Sequence, residues 1–167
     1  VGDEPFVVYL GDDLMQAGIN EMVESFDSDQ YDAGIGVQAV DEPSRYGIVD
    51  IDDQGEIVKL VEKPDDPPNN LALIGVYIFT PEIFDAIGEL EKSWRGEYEI
   101  TEAIQQALQN GARIQSHTVD GWWKDTGKPK DVLRANRLVL DDLVHDIRGT
   151  VDSEESLTGR VDIGEGS

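Results

Sequence analysis

Ile57-Val58-Lys59-Leu60-Val61-Glu62-Lys63-Pro64-Asp65-Asp66-Pro67-Pro68-Asn69-Asn70-Leu71-Ala72-Leu73-Ile74-Gly75-Val76-Tyr77-Ile78-Phe79-Thr80 is the stretch on which the fold turns. Ile57, Val58, Leu60 and Val61 read as buried strand, and the pattern breaks into Glu62 and Lys63 where Pro64, with no N–H to give, stops a regular ladder. A carboxylate and an ammonium are thereby held side by side at a strand's carboxyl end. Residues 65–70, all Asp, Pro or Asn, read only as loop. Leu71 to Phe79 is apolar on both faces, as an internal sheet strand is, and Gly75 in its middle marks a bulge or a close approach to the backbone.

Two readings stand for Glu62 and Lys63: an ion pair on the surface, or part of a pocket for an anion. Scarcity favours the second. The chain has 13 Lys and Arg against 36 Asp and Glu, so cations set beside Pro or Gly at strand ends are informative. Lys63, Arg45 (before Tyr46-Gly47), Arg95 (before Gly96-Glu97) and Lys124 (before Asp125-Thr126-Gly127) all sit this way. One anion pocket explains the set economically.

The frame is that of a single domain with an appendage: 167 residues, 39% hydrophobic, with three Trp, five Tyr and four Phe. Acids are dispersed between periodic apolar runs, which argues against a disordered acidic tail. A formal charge of -23 disfavours nucleic acid or an anionic membrane as partner, because phosphates would be repelled. The even acid excess resembles the halophilic habit of salt-loving organisms. There are no cysteines, so disulfides, thiol catalysis and Cys-ligated zinc are excluded, and His117 and His145 lie apart without a zinc-binding pattern. No stretch reads as a membrane span or export signal, which fits a cytoplasmic protein.

From the amino end, Phe6 to Leu10 reads as a central strand ending on Gly11-Asp12-Asp13. Carboxylates at that edge of an α/β sheet suit metal ligation, and they equally suit capping of a helix beginning near Leu14. Ile19, Met22, Val23 and Phe26 have helical spacing, and Ala33, Ile35, Val37 and Ala39 alternate as a strand packed on one side. Residues 46–51 form the next strand, and Asp52-Asp53-Gln54-Gly55 closes a hairpin with Gly55 in the left-handed position. The hairpin's open end then carries both Arg45-Tyr46-Gly47 and Glu62-Lys63-Pro64; Gly47 serves either a ligand's approach or simple strand geometry.

Thr80-Pro81 reads as a helix start with Ile83, Phe84 and Ile87 on the buried side. Residues 93–99, with Trp94 and Tyr98, are too polar for core, and a helix over Ile100, Ala103, Ile104, Ala107 and Leu108 ends before Gly111. A strand over 112–119 leads to Trp122-Trp123, of which one faces core and the other a pocket wall. Asp125 either ligates a metal or caps the helix from about Pro129 to Leu143, whose expected buried positions are Val132, Leu133, Asn136, Val139 and Leu140. In the tail, apolar and Gly residues at a loose six-residue spacing read as the start of a parallel β-helix.

Tyr9-Leu10-Gly11-Asp12-Asp13, Arg45-Tyr46-Gly47, Glu62-Lys63-Pro64, Asn70 to Thr80, Arg95-Gly96-Glu97-Tyr98-Glu99-Ile100-Thr101 and Gly121-Trp122-Trp123-Lys124-Asp125-Thr126-Gly127-Lys128-Pro129 occur in an order and spacing that resemble the sugar-phosphate nucleotidyltransferase family, in particular its glucose-1-phosphate thymidylyltransferases. The resemblance implies a Rossmann-like mixed β-sheet flanked by helices, with residues 1–148 as a partial catalytic domain and 149–167 as a linker and the start of a left-handed parallel β-helix. It implies joining of a nucleoside triphosphate, dTTP first among them, to glucose 1-phosphate with release of pyrophosphate. Transfer of another nucleotide (uridylyl, guanylyl or adenylyl), or binding of a sugar phosphate without turnover, are the alternatives. The subunit count is left open, a homo-oligomer among the options.

By the same resemblance Asp12 and Asp125 hold Mg2+ and lie at one carboxyl edge of the sheet. Lys63 and Arg95 bind the sugar phosphate, with Lys63 counted among the catalytic residues beside the two aspartates. Glu62 accepts hexose hydroxyls, and Tyr46, Gly47, Leu73, Tyr77 and Trp123 shape the pocket. Such a reaction needs charge neutralisation and in-line placement more than a covalent catalyst. Two departures stand out: Asp13 occupies a position where the family usually has Asn, and the family's glycine-rich nucleotide loop has no counterpart ahead of Phe6. The expectation is therefore a fold truncated at the N-terminus, inactive by itself.

Overall fold

The computed structural model describes residues 2–93, 95–153 and 157–167, and the chain divides into two compact units, residues 1–123 and 124–167. Trp94 and the tail residues 154–156 lie outside the described residues. The first unit contains strands β1 (Phe6–Tyr9), β2 (Asp13–Met15), β3 (Ala33–Ala39), β4 (Gly47–Ile51), β5 (Ile57–Glu62), β6 (Leu71–Phe79) and β7 (Ile114–Thr118), with helices α1 (Asn20–Ser25), α2 (Ile83–Gly88) and α3 (Ile100–Gln109). β8 (Trp123–Asp125) runs across the division, and α4 (Pro129–Asp141), β9 (Asp146–Ile147) and β10 (Asp162–Ile163) follow in the second unit.

The main sheet has the order β5-β4-β6-β3-β7, with β1 also paired to β6. β3 and β7 are parallel, while β6 is antiparallel to β1, β3 and β4. The long apolar run is the central strand, as its two-faced pattern requires. Leu73, Tyr77 and Phe79 point into the larger core cluster with Ile35, Val37, Ile83 and Ile104; Ile74, Val76 and Ile78 point the other way, onto Met22 and Val119. Each wholly buried aliphatic side chain in these layers contributes about 1.5–3 kcal/mol.

One edge of β6 is shared. β1 takes its upper half, from Phe6 opposite Phe79 to Tyr9 opposite Val76, whereas β4 reaches it with Ile48 opposite Ala72. The neighbouring strands therefore part around Leu73–Gly75, and Leu10 N–H closes the fork on the Gly75 carbonyl at 2.8 Å.

Several expectations are corrected. The expected truncation of the fold at the N-terminus is not shown, and β1 ladders over its whole length onto β6. That strand is not central, however, since among the described residues it pairs with β6 alone and leaves Val7 and Tyr9 exposed. β3 is covered on both faces rather than one, because Gly34 and Gly36 admit Phe26, Val76 and Ile74 against the backbone. Asp13 caps no helix; it lies in β2, and α1 starts only at Asn20. The Thr80 hydroxyl donates to the Asp32 carbonyl at 2.9 Å instead of capping α2, and Val23, Phe84 and Ile87 remain exposed.

In the second unit the buried α4 residues are Asp131 and Ala135, while Val132, Leu133, Asn136, Val139 and Leu140 are exposed. Helical spacing marks an apolar stripe without saying what covers it. β9 and β10 pair in parallel, Asp146 opposite Asp162 and Ile147 opposite Ile163. Arg148 spans this pair, 3.0 Å from Asp146 and 3.3 Å from Asp162.

Candidate functional site

β4 and β5 are antiparallel with Gly47 directly opposite Glu62, which places both sequence clusters at the hairpin's open end. Lys63 follows at φ 41, the sole non-glycine with positive φ among the described residues. Its N–H donates to the Tyr46 carbonyl at 3.1 Å, which helps hold this turned-back geometry. A left-handed lysine is costly, and such strain concentrates where a side chain must be aimed.

Glu62 is the hub. Its Oε1 faces Lys63 Nζ at 3.0 Å and Arg95 Nη1 at 3.6 Å, and its Oε2 accepts the Thr101 hydroxyl at 2.6 Å. Thr101 belongs to the first turn of α3, where the helix dipole favours a negative charge. Arg95 is held from behind by Glu99, buried, at 3.2 Å and by Glu97 at 3.0 Å, and Ser93 donates its hydroxyl to Glu99 at 2.9 Å. Lys63 and Arg95 remain partly solvent-exposed, so an anion can reach both.

A second group lines the fork in the sheet. The buried Asp13 accepts the Trp123 indole N–H at 2.7 Å, and Trp123 meets Tyr46 edge-on with ring centroids 5.2 Å apart. Tyr77 lies between the two groups: burial above all, then the charges of Asp13 and Glu62, push its hydroxyl well above the usual tyrosine range. Leu73 is buried in the main cluster beside Tyr77.

The structure therefore joins Gly47, Glu62, Lys63 and Arg95, and links Tyr46 with Trp123. It does not gather all four cations. Arg45 is an exposed partner of Glu42 at 2.7 Å and stacks over Tyr46, and Lys124, in the second unit, pairs with the buried Asp131 at 3.4 Å. Asp12 belongs to the first unit and is exposed, whereas Asp125 belongs to the second. Asp125 does not cap α4: its Oδ1 accepts the Gly127 N–H at 2.8 Å, and α4 begins after Lys128. Sequence reasoning assigned no role to Thr101, Glu99 or Ser93. Their one signal is position, just ahead of and within the start of a periodic helix.

A separate cavity of about 320 Å³ between α2 and α3 is lined by Asp32, Glu82, Asp85, Asn110 and small apolar residues. It has no cationic lining residue and is unsuited to a phosphate.

A mixed α/β sheet here brings a carboxylate, an ammonium and a guanidinium together at a strand end. The sequence matches the family described as Nucleotidyl transferase over residues 1–142, and the chain belongs to that family of enzymes. It is 55% identical over 165 residues to the low-salt glycan biosynthesis nucleotidyltransferase Agl11 of Haloferax volcanii, covering 99% of this chain and 46% of that protein. It is 49% identical over 168 residues to a glucose-1-phosphate thymidylyltransferase of Streptomyces antibioticus, covering 100% and 47%. A solved UDP-glucose pyrophosphorylase complexed with UDP-glucose superposes with a TM-score of 0.75 at 30% identity, over 84% of this chain and 58% of that one. The chain thus spans about half the length of the curated relatives it matches. The family match runs over residues 1–142, from the first residue onward, so the expected loss of an N-terminal nucleotide-binding segment is not shown.

Proposed function

We propose that the chain serves a nucleotidyl transfer in which a hexose 1-phosphate attacks the α-phosphorus of a nucleoside triphosphate, giving a nucleoside diphosphate sugar and pyrophosphate. The observation that carries this is the convergence of Lys63 and Arg95 on Glu62. When a sugar phosphate enters, the two cations exchange the carboxylate for the phosphate, and Glu62 Oε1 is released to accept a sugar hydroxyl. Gly47, Leu73, Tyr77, Tyr46 and Trp123 are the proposed walls. The relatives divide between thymidylyl transfer and a UDP-sugar, so the reading is of the class of reaction and not of dTTP in particular. A cytoplasmic setting is part of this proposal. Among the described residues no helix is long and apolar enough to cross a membrane.

Asp12 and Asp125 are the proposed metal ligands, each on the chemistry of its own carboxylate. Hard oxygen donors fit Mg2+, which takes one or two carboxylates and completes its shell with water and phosphate. Among the described residues no group of three or more His, Cys, Asp or Glu lies together. Held by these carboxylates, Mg2+ would supply charge neutralisation at the reacting phosphates. The parallel pairing of β9 with β10 supports the tail as the start of a β-helix.

Calorimetric titration with glucose 1-phosphate tests the site: Arg95→Ala and Lys63→Ala should each weaken binding at least about tenfold. The full-length gene product should release pyrophosphate with at least one triphosphate in the presence of Mg2+, and Asp12→Asn and Asp125→Asn should stay folded yet lose most turnover. No release with dTTP, UTP, GTP or ATP would reject the reaction.

A further inference from the structure

Gly47 lies directly opposite Glu62 in the hairpin, and a Cβ built at that position meets the Thr101 side chain, with Oγ1 at 2.5 Å and Cγ2 at 3.1 Å, and Glu62 Oε2 at 3.3 Å. Gly47 has an ordinary backbone conformation, so the glycine is required by crowding and not by φ. What crowds it is a protein side chain. Thr101 is buried, and its methyl and hydroxyl fill the space that any side chain at position 47 would take.

The hydroxyl donates to Oε2 at 2.6 Å, while the cations lie on Oε1. One oxygen of the carboxylate is thus pinned by a neutral donor, and the other is left for groups that exchange. A carboxylate free to rotate would present either oxygen to Lys63 and Arg95 and would chelate them. Held by Thr101, it keeps a fixed edge toward whatever lies over Lys63.

Resting on the sugar-phosphate reading above, we propose that Thr101, admitted by Gly47, is a positioning residue that orients Glu62 and thereby sets the preference for a hydroxylated sugar phosphate over a bare phosphate. Thr101 touches no ligand in this role. It acts through Glu62, so its loss should reduce the contribution of the sugar hydroxyls and spare the part of the affinity that comes from the cations.

The test compares affinities for glucose 1-phosphate and for inorganic phosphate by calorimetry in the wild-type chain, Thr101→Val, Thr101→Ser and Gly47→Ala, each checked for folding by circular dichroism. The valine variant keeps the shape and loses the donor. Its preference for glucose 1-phosphate over phosphate should fall about tenfold, with phosphate affinity held, and Thr101→Ser should restore it. Gly47→Ala, which pushes Thr101 away from Glu62, should resemble the valine variant. An undiminished preference in folded Thr101→Val, or an equal loss for both anions, overturns the role of Thr101 alone. A wild-type chain that does not distinguish the two anions overturns the sugar-phosphate reading and this inference with it.

Discussion

The Asp13 carboxylate occupies the place where a side chain at residue 75 would begin: a Cβ on Gly75 would collide with Asp13 Oδ2 and lie 2.9 Å from the Leu10 Cβ. Asp13 is meanwhile tied to the Trp123 indole at 2.7 Å, and its carbonyl accepts the Tyr9 hydroxyl at 3.1 Å. Gly75→Ala must therefore move β6, the most buried strand, or expel a buried carboxylate from its partner. The expected cost is about 3 kcal/mol in urea unfolding. Asp13→Asn keeps an oxygen for the indole and should cost under about 1 kcal/mol. Equal stability of Gly75→Ala and wild type would show that the sheet gives way easily here.

Lys63 sets function against stability. Lys63→Ala and Lys63→Gly both remove the ammonium, but only glycine adopts φ 41 without strain. The glycine variant should be about 1 kcal/mol more stable than the alanine variant, with both binding glucose 1-phosphate at least about tenfold more weakly than wild type. An alanine variant as stable as the glycine variant would mean that the left-handed turn stores no strain.

Glu102, near the start of α3, has its carboxyl raised above the usual glutamate range by burial first and then by the charges of Glu99 and Glu62. A carboxyl raised in the folded state binds its proton more tightly there than in the unfolded chain. Its contribution to stability is full below the unfolded value and is lost as pH rises through the folded one. Glu102→Gln should accordingly raise the melting temperature at pH 7, with the gain shrinking as pH falls through the glutamate range. A gain independent of pH would assign the effect to packing.

Salt should act on the whole molecule. With a formal charge of -23, raising potassium chloride from about 0.1 M to 1 M shortens the screening length from about 10 Å to about 3 Å and relieves carboxylate repulsion. The midpoint of thermal unfolding should climb across that range. A constant midpoint would show that the acids are too dispersed to matter.

Of the Glu62 hub, Glu62, Lys63 and Arg95 could be singled out in the sequence because each stands at a break in a periodic pattern, whereas Thr101, Glu99 and Ser93 could not. Glu62 and Lys63 end a strand at Pro64, and Arg95 opens a glycine turn in a chain poor in cations. The two-faced apolar run likewise announced the central strand, since only a strand covered on both sides lacks polar alternation. Gly55 took the left-handed position that its hairpin required.

What the tertiary structure alone decided is which residues share a neighbour. Lys63 and Arg95 meet on one carboxylate while Arg45 turns to Glu42, although each of the three has a glycine or proline within two positions. Gly47 and Gly75 are glycines because Thr101 and Asp13, distant in sequence, lean on them. Periodicity reports the order along one element; it carries no information about the element packed across it. The apolar stripe of α4 has the same spacing whether or not anything lies on it, and only coordinates show Leu133 in water and Asp131 inside. A sequence fixes the local torsional and amphipathic preferences of each segment, whereas contacts between segments depend on how the chain closes its long loops.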